Sequence, residues 1–132
     1  MKKTLALKET KDFQRILKKG SWYSGDYLSL YKIANGKECN FLGIAVGKKG
    51  LNSVKRNRIK RLIRESYRNS EQSIKVGYNI VVLWRSKNSY EEATYANIAE
   101  DLKICLKRAG MLLWKKFWFS LLESIRIHCH HL

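Results

Sequence analysis

The chain of 132 residues is poor in acidic residues, histidines and cysteines, and it contains no proline. Its 11 aspartates and glutamates stand against 27 lysines and arginines, which gives a formal net charge of +16. Like charges at this density repel one another unless a polyanion neutralises them. The composition therefore predicts a polyanionic partner, and it favours nucleic acid over an anionic membrane surface.

The scarce cysteines and histidines argue against a disulfide framework and against a catalytic or metal centre. Cys39, Cys105 and Cys129 are odd in number and have no metal-like spacing, so we expect reduced thiols in a cytoplasmic protein. The histidines are confined to HCHH at residues 128–131, with no second ligand pair elsewhere. Without a histidine pair or a carboxylate cluster, we predict a binding protein that has no catalytic residue and no metal site.

Long apolar runs are also missing, so no segment is expected to span a bilayer or to act as a signal peptide. We predict one nucleic-acid-binding domain over residues 1–110 and a separate extension over residues 111–132. The extension carries an apolar helical face made of Trp114, Phe117, Trp118, Leu121, Leu122 and Ile125. This pattern favours an extra C-terminal helix that packs on the domain, and a helix lying on a membrane surface is the alternative.

The most strongly patterned stretch runs from Gly47 to Arg68 and reads GKKGLNSVKRNRIKRLIRESYR. Its apolar residues recur at helical spacing, so one side of a helix can pack against a core. Asn52 or Ser53 is suited to cap the start of this helix. The opposite side presents a polar and basic row made of Asn57, Lys60, Arg61, Arg64 and Arg68.

The remaining segments predict an α+β fold in the order α-β-β-α-β-α, with the helices packed on a small mixed sheet. A helix is predicted over Glu9–Lys19, and strands over Tyr27–Ile33 and Phe41–Val46, which we expect to pair as a hairpin. The continuous apolar run Gly77–Trp84 predicts a central strand. A capping box at Ser89 predicts the start of the last amphipathic helix.

These segments resemble a known family. VKRNRIKRLIRESYR at residues 54–68, preceded by VGKKGLN, closely resembles the signature of the bacterial ribonuclease P protein subunit, and the likeness extends over residues 7–109. The resemblance implies a left-handed βαβ crossover around the basic helix. It also implies a 1:1 partnership with a catalytic RNA, which removes the 5′ leader of precursor tRNA with Mg²⁺ bound mainly by the RNA. We expect neither DNA nor a membrane as a partner.

The resemblance also assigns candidate site residues. It implies that the catalytic RNA contacts the basic helix and its approach loop, and that the single-stranded leader lies between the first helix and the sheet. Leu17 stands where the family usually has an aromatic residue. The predicted RNA-binding residues are Lys48, Lys49, Asn52, Arg56, Asn57, Arg58, Lys60, Arg61 and Arg64, with Arg68 on the same helical face. The predicted leader-binding residues are Phe13, Leu17, Ser29 and Tyr31.

Two alternatives remain at this stage. A ribosomal-type or chaperone-like RNA-binding protein without a processing role would use the same basic helix. Phe13, whose position at helical spacing is typical of ordinary packing, is at least as well explained by a core role as by leader binding. Tyr31 favours the leader site more, because its hydroxyl needs a polar partner and suits the wet edge of a cleft.

Overall fold

A computed structural model describes residues 3–113, in which three helices pack on a five-stranded mixed sheet. The predicted α+β class is therefore confirmed. Two short 3-10 turns, Glu71–Ser73 and Tyr90–Glu92, interrupt the longer connections. The elements are β1 (Thr4–Ala6), α1 (Thr10–Lys19), β2 (Ser21–Ser24), β3 (Leu28–Ala34), β4 (Asn40–Val46), α2 (Ser53–Ser70), β5 (Tyr78–Trp84) and α3 (Tyr95–Arg108).

The order of the strands differs from the sequence-based prediction. Across the sheet it is β1-β4-β5-β3-β2, with β5 parallel to β4 and antiparallel to β3. The predicted hairpin between the strands Tyr27–Ile33 and Phe41–Val46 is wrong. These strands correspond to β3 and β4, and β5 lies between them in the sheet. The reason is the apolar sequence of β5, which is stable only when both of its edges and both of its faces are covered.

Two strands were absent from the predicted order α-β-β-α-β-α, which starts with a helix. The observed order is β-α-β-β-β-α-β-α. β1 has three residues and β2 has four, which is too short to display the alternation that identifies a strand in a sequence. Both lie at edges of the sheet, where pairing with a longer neighbour makes them strands.

One face of the sheet is closed by α2 and α3, and it holds the main core. Burying each large aliphatic side chain of this core contributes roughly 1.5–3 kcal/mol. Because successive strand residues point to opposite faces, the residues between these core positions face the other way. The main members of the core are Leu28, Leu30, Leu42, Val46, Ile59, Ile63, Tyr67, Ile80, Val82, Ile98, Leu102 and Leu106.

The other face of the sheet is covered only by α1. This helix lies over a row in which Gly43, Val81 and Tyr31 are in register on β4, β5 and β3. A Cβ atom on Gly43 would lie 2.5 Å from Cζ of Phe13, so the missing side chain is what lets the aromatic ring approach the sheet. Ile16 of α1 and Val81 are both fully buried on this face.

The described chain ends beside α2. Met111 is buried in the main core, and Leu112 forms an isolated antiparallel bridge with Ile74. Residues 114–132 lie outside the described residues, so the extra C-terminal helix and the division at residue 110 remain predictions. β4, α2 and β5 form a parallel βαβ unit, and its left-handed sense likewise remains a prediction. None of the helices within residues 3–113 has the length and apolar character needed to cross a membrane.

Candidate nucleic-acid interface

The outer face of α2 is the main basic surface of the described chain. The helix starts at Asn52, whose side-chain oxygen accepts a 2.9 Å hydrogen bond from the backbone N–H of Lys55. Ile59, Ile63 and Tyr67 are buried on its inner side, so the polar row predicted from helical spacing turns outward. Of that row, Lys60 is half-buried and the other members are exposed: Asn57, Arg61, Arg64 and Arg68.

The approach loop continues this basic surface. Lys48 and Lys49 are exposed, and a backbone hydrogen bond from Leu51 to the carbonyl of Lys48 closes a turn between β4 and α2. Gly50 has a φ of 72°, which a residue with a side chain rarely adopts. The loop thereby brings two further ammonium groups beside the positive N-terminal end of α2, and this arrangement is suited to bind phosphate groups.

Three of the predicted RNA-binding residues also have partners inside the protein. Arg58 donates a 2.8 Å hydrogen bond to the carbonyl of Ala93, and its guanidinium lies 5.3 Å from the ring centre of Tyr90. Arg56 is half-buried and reaches the hydroxyl of Ser53 at 3.4 Å. Asn52 caps the helix. These contacts use part of the hydrogen-bonding capacity of the three side chains, although Asn52 and Arg58 are exposed like the outer row.

A cavity of about 370 Å³ lies between the approach loop and the segment before α3. Lys49 and Lys55 line it from one side, and Trp84 and Tyr90 from the other. The Lys55 ammonium lies 4.9 Å from the ring centre of Tyr90, which also contacts Arg58. The sequence-based prediction did not include Lys55, although its place in the same basic segment was a usable signal.

The four predicted leader-binding residues lie on or beside the α1 face of the sheet, but they do not form one contact cluster. Phe13 packs on Gly43, and Tyr31 is two strands away in the same row, which is roughly 10 Å. Leu17 is 38% exposed and Tyr31 is half-buried, whereas Ser29 is buried one row away. We call Leu17, Tyr31, Ser29 and Trp22 the Leu17 flank of α1.

Trp22 is a member of this flank that the sequence-based prediction missed. It lies directly opposite Tyr31 in the antiparallel pair of β2 and β3, so both aromatic side chains are on the α1 face. Its side chain is 56% exposed, which is unusual for tryptophan unless it contacts a partner. The signal was the pair Trp22-Tyr23 between two glycines, which is consistent with a short strand.

A buried carboxylate fixes the turn that joins β2 to β3. Asp101 of α3 accepts hydrogen bonds from the backbone N–H groups of Asp26, Tyr27 and Leu28 at 2.7, 3.1 and 2.8 Å. Arg85 donates a hydrogen bond to the carbonyl of Gly25 in the same turn. We call this cluster the Asp101 clamp. It holds the β2–β3 hairpin from the face covered by α2 and α3 (the closed face), while Trp22 and Tyr31 of the same hairpin lie on the face covered by α1 (the open face).

Two buried acidic groups near the core have raised pKa values. Burial, and secondly the neighbouring Asp101 carboxylate, raise the pKa of the Cys105 thiol from 9.0 to about 12. Burial also raises the pKa of Tyr67, against the opposing effect of its hydrogen bonds with Thr4 and Asn40. Cys105 therefore stays a neutral thiol at physiological pH and is not suited to be a nucleophile.

Comparison with known proteins matches the chain to a protein family. The family model for ribonuclease P matches residues 1–110. The ribonuclease P protein component of Clostridioides difficile is 37% identical over 110 residues, which are 83% of this chain and 95% of that relative.

Solved structures agree. The RNase P protein of Staphylococcus aureus superposes with a TM-score of 0.70 at 35% identity, and the match covers 82% of this chain and 97% of that one. The RNase P protein of Thermotoga maritima gives a TM-score of 0.71 at 33% identity, and the match covers 78% of this chain and 96% of that one.

The chain belongs to the ribonuclease P protein family. It is the protein component of ribonuclease P, part of the ribozyme that processes tRNA, and this confirms the family predicted from the basic helix. Membership implies an RNA subunit as its partner. Among residues 3–113, no three histidine, cysteine or acidic side chains lie close enough together to hold a metal ion.

Proposed function

We propose that the chain binds the catalytic RNA of ribonuclease P in a 1:1 complex through the outer face of α2 and its approach loop. The exposure of this row, opposite a buried apolar stripe, is the observation that supports the assignment. Asn52, Arg56 and Arg58 support the surface through contacts inside the protein. The residues proposed to meet RNA phosphates are Lys48, Lys49, Asn57, Lys60, Arg61, Arg64 and Arg68.

The single-stranded 5′ leader of precursor tRNA is proposed to lie on the Leu17 flank. Tyr31 and Trp22 offer two neighbouring aromatic side chains on which unpaired bases can stack, and Ser29 lies in the next row. Stacking tolerates any base, which suits a leader whose sequence varies among tRNAs. Phe13 seats α1 on the sheet by packing on Gly43, and Leu17 of the same helix forms the wall of this surface.

Catalysis is proposed to belong to the RNA, which would also hold the Mg²⁺ that the family resemblance implies. The protein's part is to position the leader and to neutralise RNA phosphates near the site of cleavage. The β4–α2–β5 crossover is proposed to take the left-handed sense implied by that resemblance. The complex is proposed to act in the cytoplasm, without DNA or a membrane.

The leader assignment can be tested in the assembled enzyme. Replacing Tyr31 or Trp22 by alanine should weaken binding of precursor tRNA about tenfold, because one base–aromatic stack contributes roughly 1–3 kcal/mol. Binding of mature tRNA, which has no leader, should be unchanged. Tyr95→Ala is the matched control, since Tyr95 is 39% exposed but lies on α3.

The competing function makes a different prediction. A ribosomal-type or chaperone-like RNA-binding protein would use α2 but would not distinguish precursor from mature tRNA. An equal loss of affinity for both tRNAs in the Tyr31 and Trp22 variants would mean that these residues are structural, and the leader assignment would be wrong.

A further inference from the structure

The second side of α1 borders a groove that the proposed function does not use. Asp12 and Leu17 are about 140° apart around the helix, so they line opposite flanks. On the side of Asp12, two adjoining cavities of about 320 and 540 Å³ run from the end of β3 to β1. We call them together the Asp12 groove. They share Leu7, Asp12 and Phe41, and the larger one adds Leu5, Ala6, Lys8 and Glu9.

The Asp12 groove is lined by the side-chain amide of Asn79, and the neighbouring Asn35 fixes the orientation of that amide. The side-chain NH₂ of Asn35 donates to Asn79 Oδ1 at 3.0 Å and to the carbonyl of Cys39 at 3.1 Å. Asn35 Oδ1 in turn accepts from the backbone N–H of Lys37 at 2.7 Å. Because Asn79 Oδ1 is held by Asn35, the Asn79 NH₂ group points away from it, and within the described chain this group has no hydrogen-bond partner. It is a donor available to a ligand.

Phe41 lies where the two cavities meet, in register with Asn79 on the neighbouring strand. Its ring is half-buried, and the Lys37 ammonium lies over one face of the ring, 5.0 Å from its centre. An aromatic surface beside a cation and a fixed amide donor combines the contacts by which proteins hold an unpaired base. On binding, the flexible Lys37 side chain would move off the ring to meet the phosphate, and the base would stack in its place with its edge accepting from the Asn79 amide.

The charges around the groove fit this ligand. Arg15 and Lys37 line the smaller cavity together with one acid, Asp12, whose carboxylate can accept a hydrogen bond from a base N–H. In the larger cavity, Glu9 is paired with Lys11 at 3.3 Å, which reduces its repulsion of a phosphate. The exposed Leu5 adds apolar surface for a ribose or a base face.

We infer that the Asp12 groove binds an unpaired RNA nucleotide, with its base on Phe41 and hydrogen-bonded to Asn79. The inference rests on the proposed function in that the partner is RNA, but it names a different side of α1. It gives the protein a second single-strand site, separated from the Leu17 flank by the width of one helix.

The test uses the full chain labelled with ¹⁵N and titrated with an unstructured RNA pentamer of mixed sequence. The side-chain NH₂ signals of Asn79 should shift in a saturable manner. Phe41→Leu removes the ring but keeps apolar volume, and it should weaken this site about tenfold, as the loss of one stack implies. Tyr31→Leu, the matched change on the Leu17 flank, should leave the Asn79 response intact.

The outcomes separate this inference from the proposed function. Signals that move only at Ser29, Tyr31 and Trp22 would overturn the Asp12 groove as a site and leave the leader assignment standing. A response at Asn79 that persists in the Phe41→Leu variant, with α2 and α3 signals unchanged, would also overturn it. Shifts at Asn79 without shifts on the Leu17 flank would support the groove and count against the leader assignment instead.

Discussion

The two faces of the sheet use the same strands for different purposes. On the α2/α3 face, aliphatic side chains are fully buried and the one buried carboxylate, Asp101, among the described residues accepts three backbone hydrogen bonds. On the α1 face a single helix covers the middle row. It leaves Trp22 more than half exposed and opens a groove on its other side. The closed face provides stability, and the open face leaves aromatic and amide groups available to a ligand.

This division explains why the hairpin that carries Tyr31 and Trp22 needs support from the opposite face. On the α1 face Trp22 of β2 is 56% exposed, so packing holds the strand only weakly there, whereas Tyr23 packs against the main core on the other face. The Asp101 clamp adds hydrogen bonds that fix the turn. Variants on the two faces should therefore separate stability from RNA binding, and the following predictions test that separation in order of decreasing effect on unfolding.

The largest effect is expected from Asp101→Ala. Removing the carboxylate leaves the three N–H groups of the β2–β3 turn without their acceptor, which should reduce the free energy of unfolding by about 3–5 kcal/mol. Urea denaturation measures this loss. Asp26→Ala, an exposed change in the same turn, is the control and should alter stability by less than about 0.5 kcal/mol. Similar losses for both variants would contradict the clamp.

Gly43→Ala should have the next largest effect, on the open face. The new methyl group overlaps the Phe13 ring, so the ring or α1 must shift at a cost of roughly 1–3 kcal/mol. Gly47→Ala is the matched control, because a Cβ atom there meets nothing within 4 Å. If α1 forms the wall of the leader site, Gly43→Ala should also weaken precursor tRNA binding. Unchanged stability would mean that Phe13 does not rest on the sheet.

Alkaline pH should lower the free energy of unfolding, because the buried Cys105 thiol resists deprotonation in the folded protein. Its pKa is raised from 9.0 to about 12, so the stability it contributes is complete below pH 9 and is lost as the pH rises toward 12. Between pH 8 and pH 10 the free energy of unfolding should fall by about 1.4 kcal/mol on this account. Cys105→Ala should flatten the pH profile relative to Cys39→Ala. Identical profiles for the two variants would exclude Cys105 as the cause.

The smallest effect on stability is expected on the outer face of α2. Arg64→Glu should change the free energy of unfolding by less than about 0.5 kcal/mol, yet it should reduce the salt dependence of RNA binding by roughly one phosphate contact. Arg58→Glu should instead destabilise the fold by about 1 kcal/mol, because it loses the hydrogen bond to Ala93. An unchanged salt slope in the Arg64 variant would exclude this row from the RNA interface.

The sequence predicted those parts of the fold that depend on local periodicity. α2, β5 and the fold class follow from helical spacing and from a continuous apolar run, and Asn52 was correctly predicted as one of two candidate caps. α3 begins at Tyr95 with Thr94 as its cap, whereas the capping box at Ser89 opens only a 3-10 turn. Both Ser89 and Thr94 are good cap residues, and tertiary packing decides between them.

The parts that could not be predicted depend on contacts between distant segments. β1 and β2 are strands only because β4 and β3 pair with them, and β5 enters between β3 and β4 from later in the chain. The same applies to the candidate site. The outer row of α2 was visible from spacing, but the internal partners of Arg58 and the position of Trp22 beside Tyr31 exist only in the folded chain.

The short strand β1 has a consequence for self-association. β4 reads NFLGIAV, and without β1 its outer edge would present unpaired backbone groups beside an apolar sequence, which is a template for aggregation. β1 pairs only with Asn40–Leu42, and the hydroxyl of Thr4 contacts that of Tyr67 at 3.1 Å. We therefore expect newly made chains to be prone to aggregation until α2, which carries Tyr67, has folded. Replacing Thr4 should therefore increase the fraction of insoluble protein before it reduces tRNA processing by the soluble fraction.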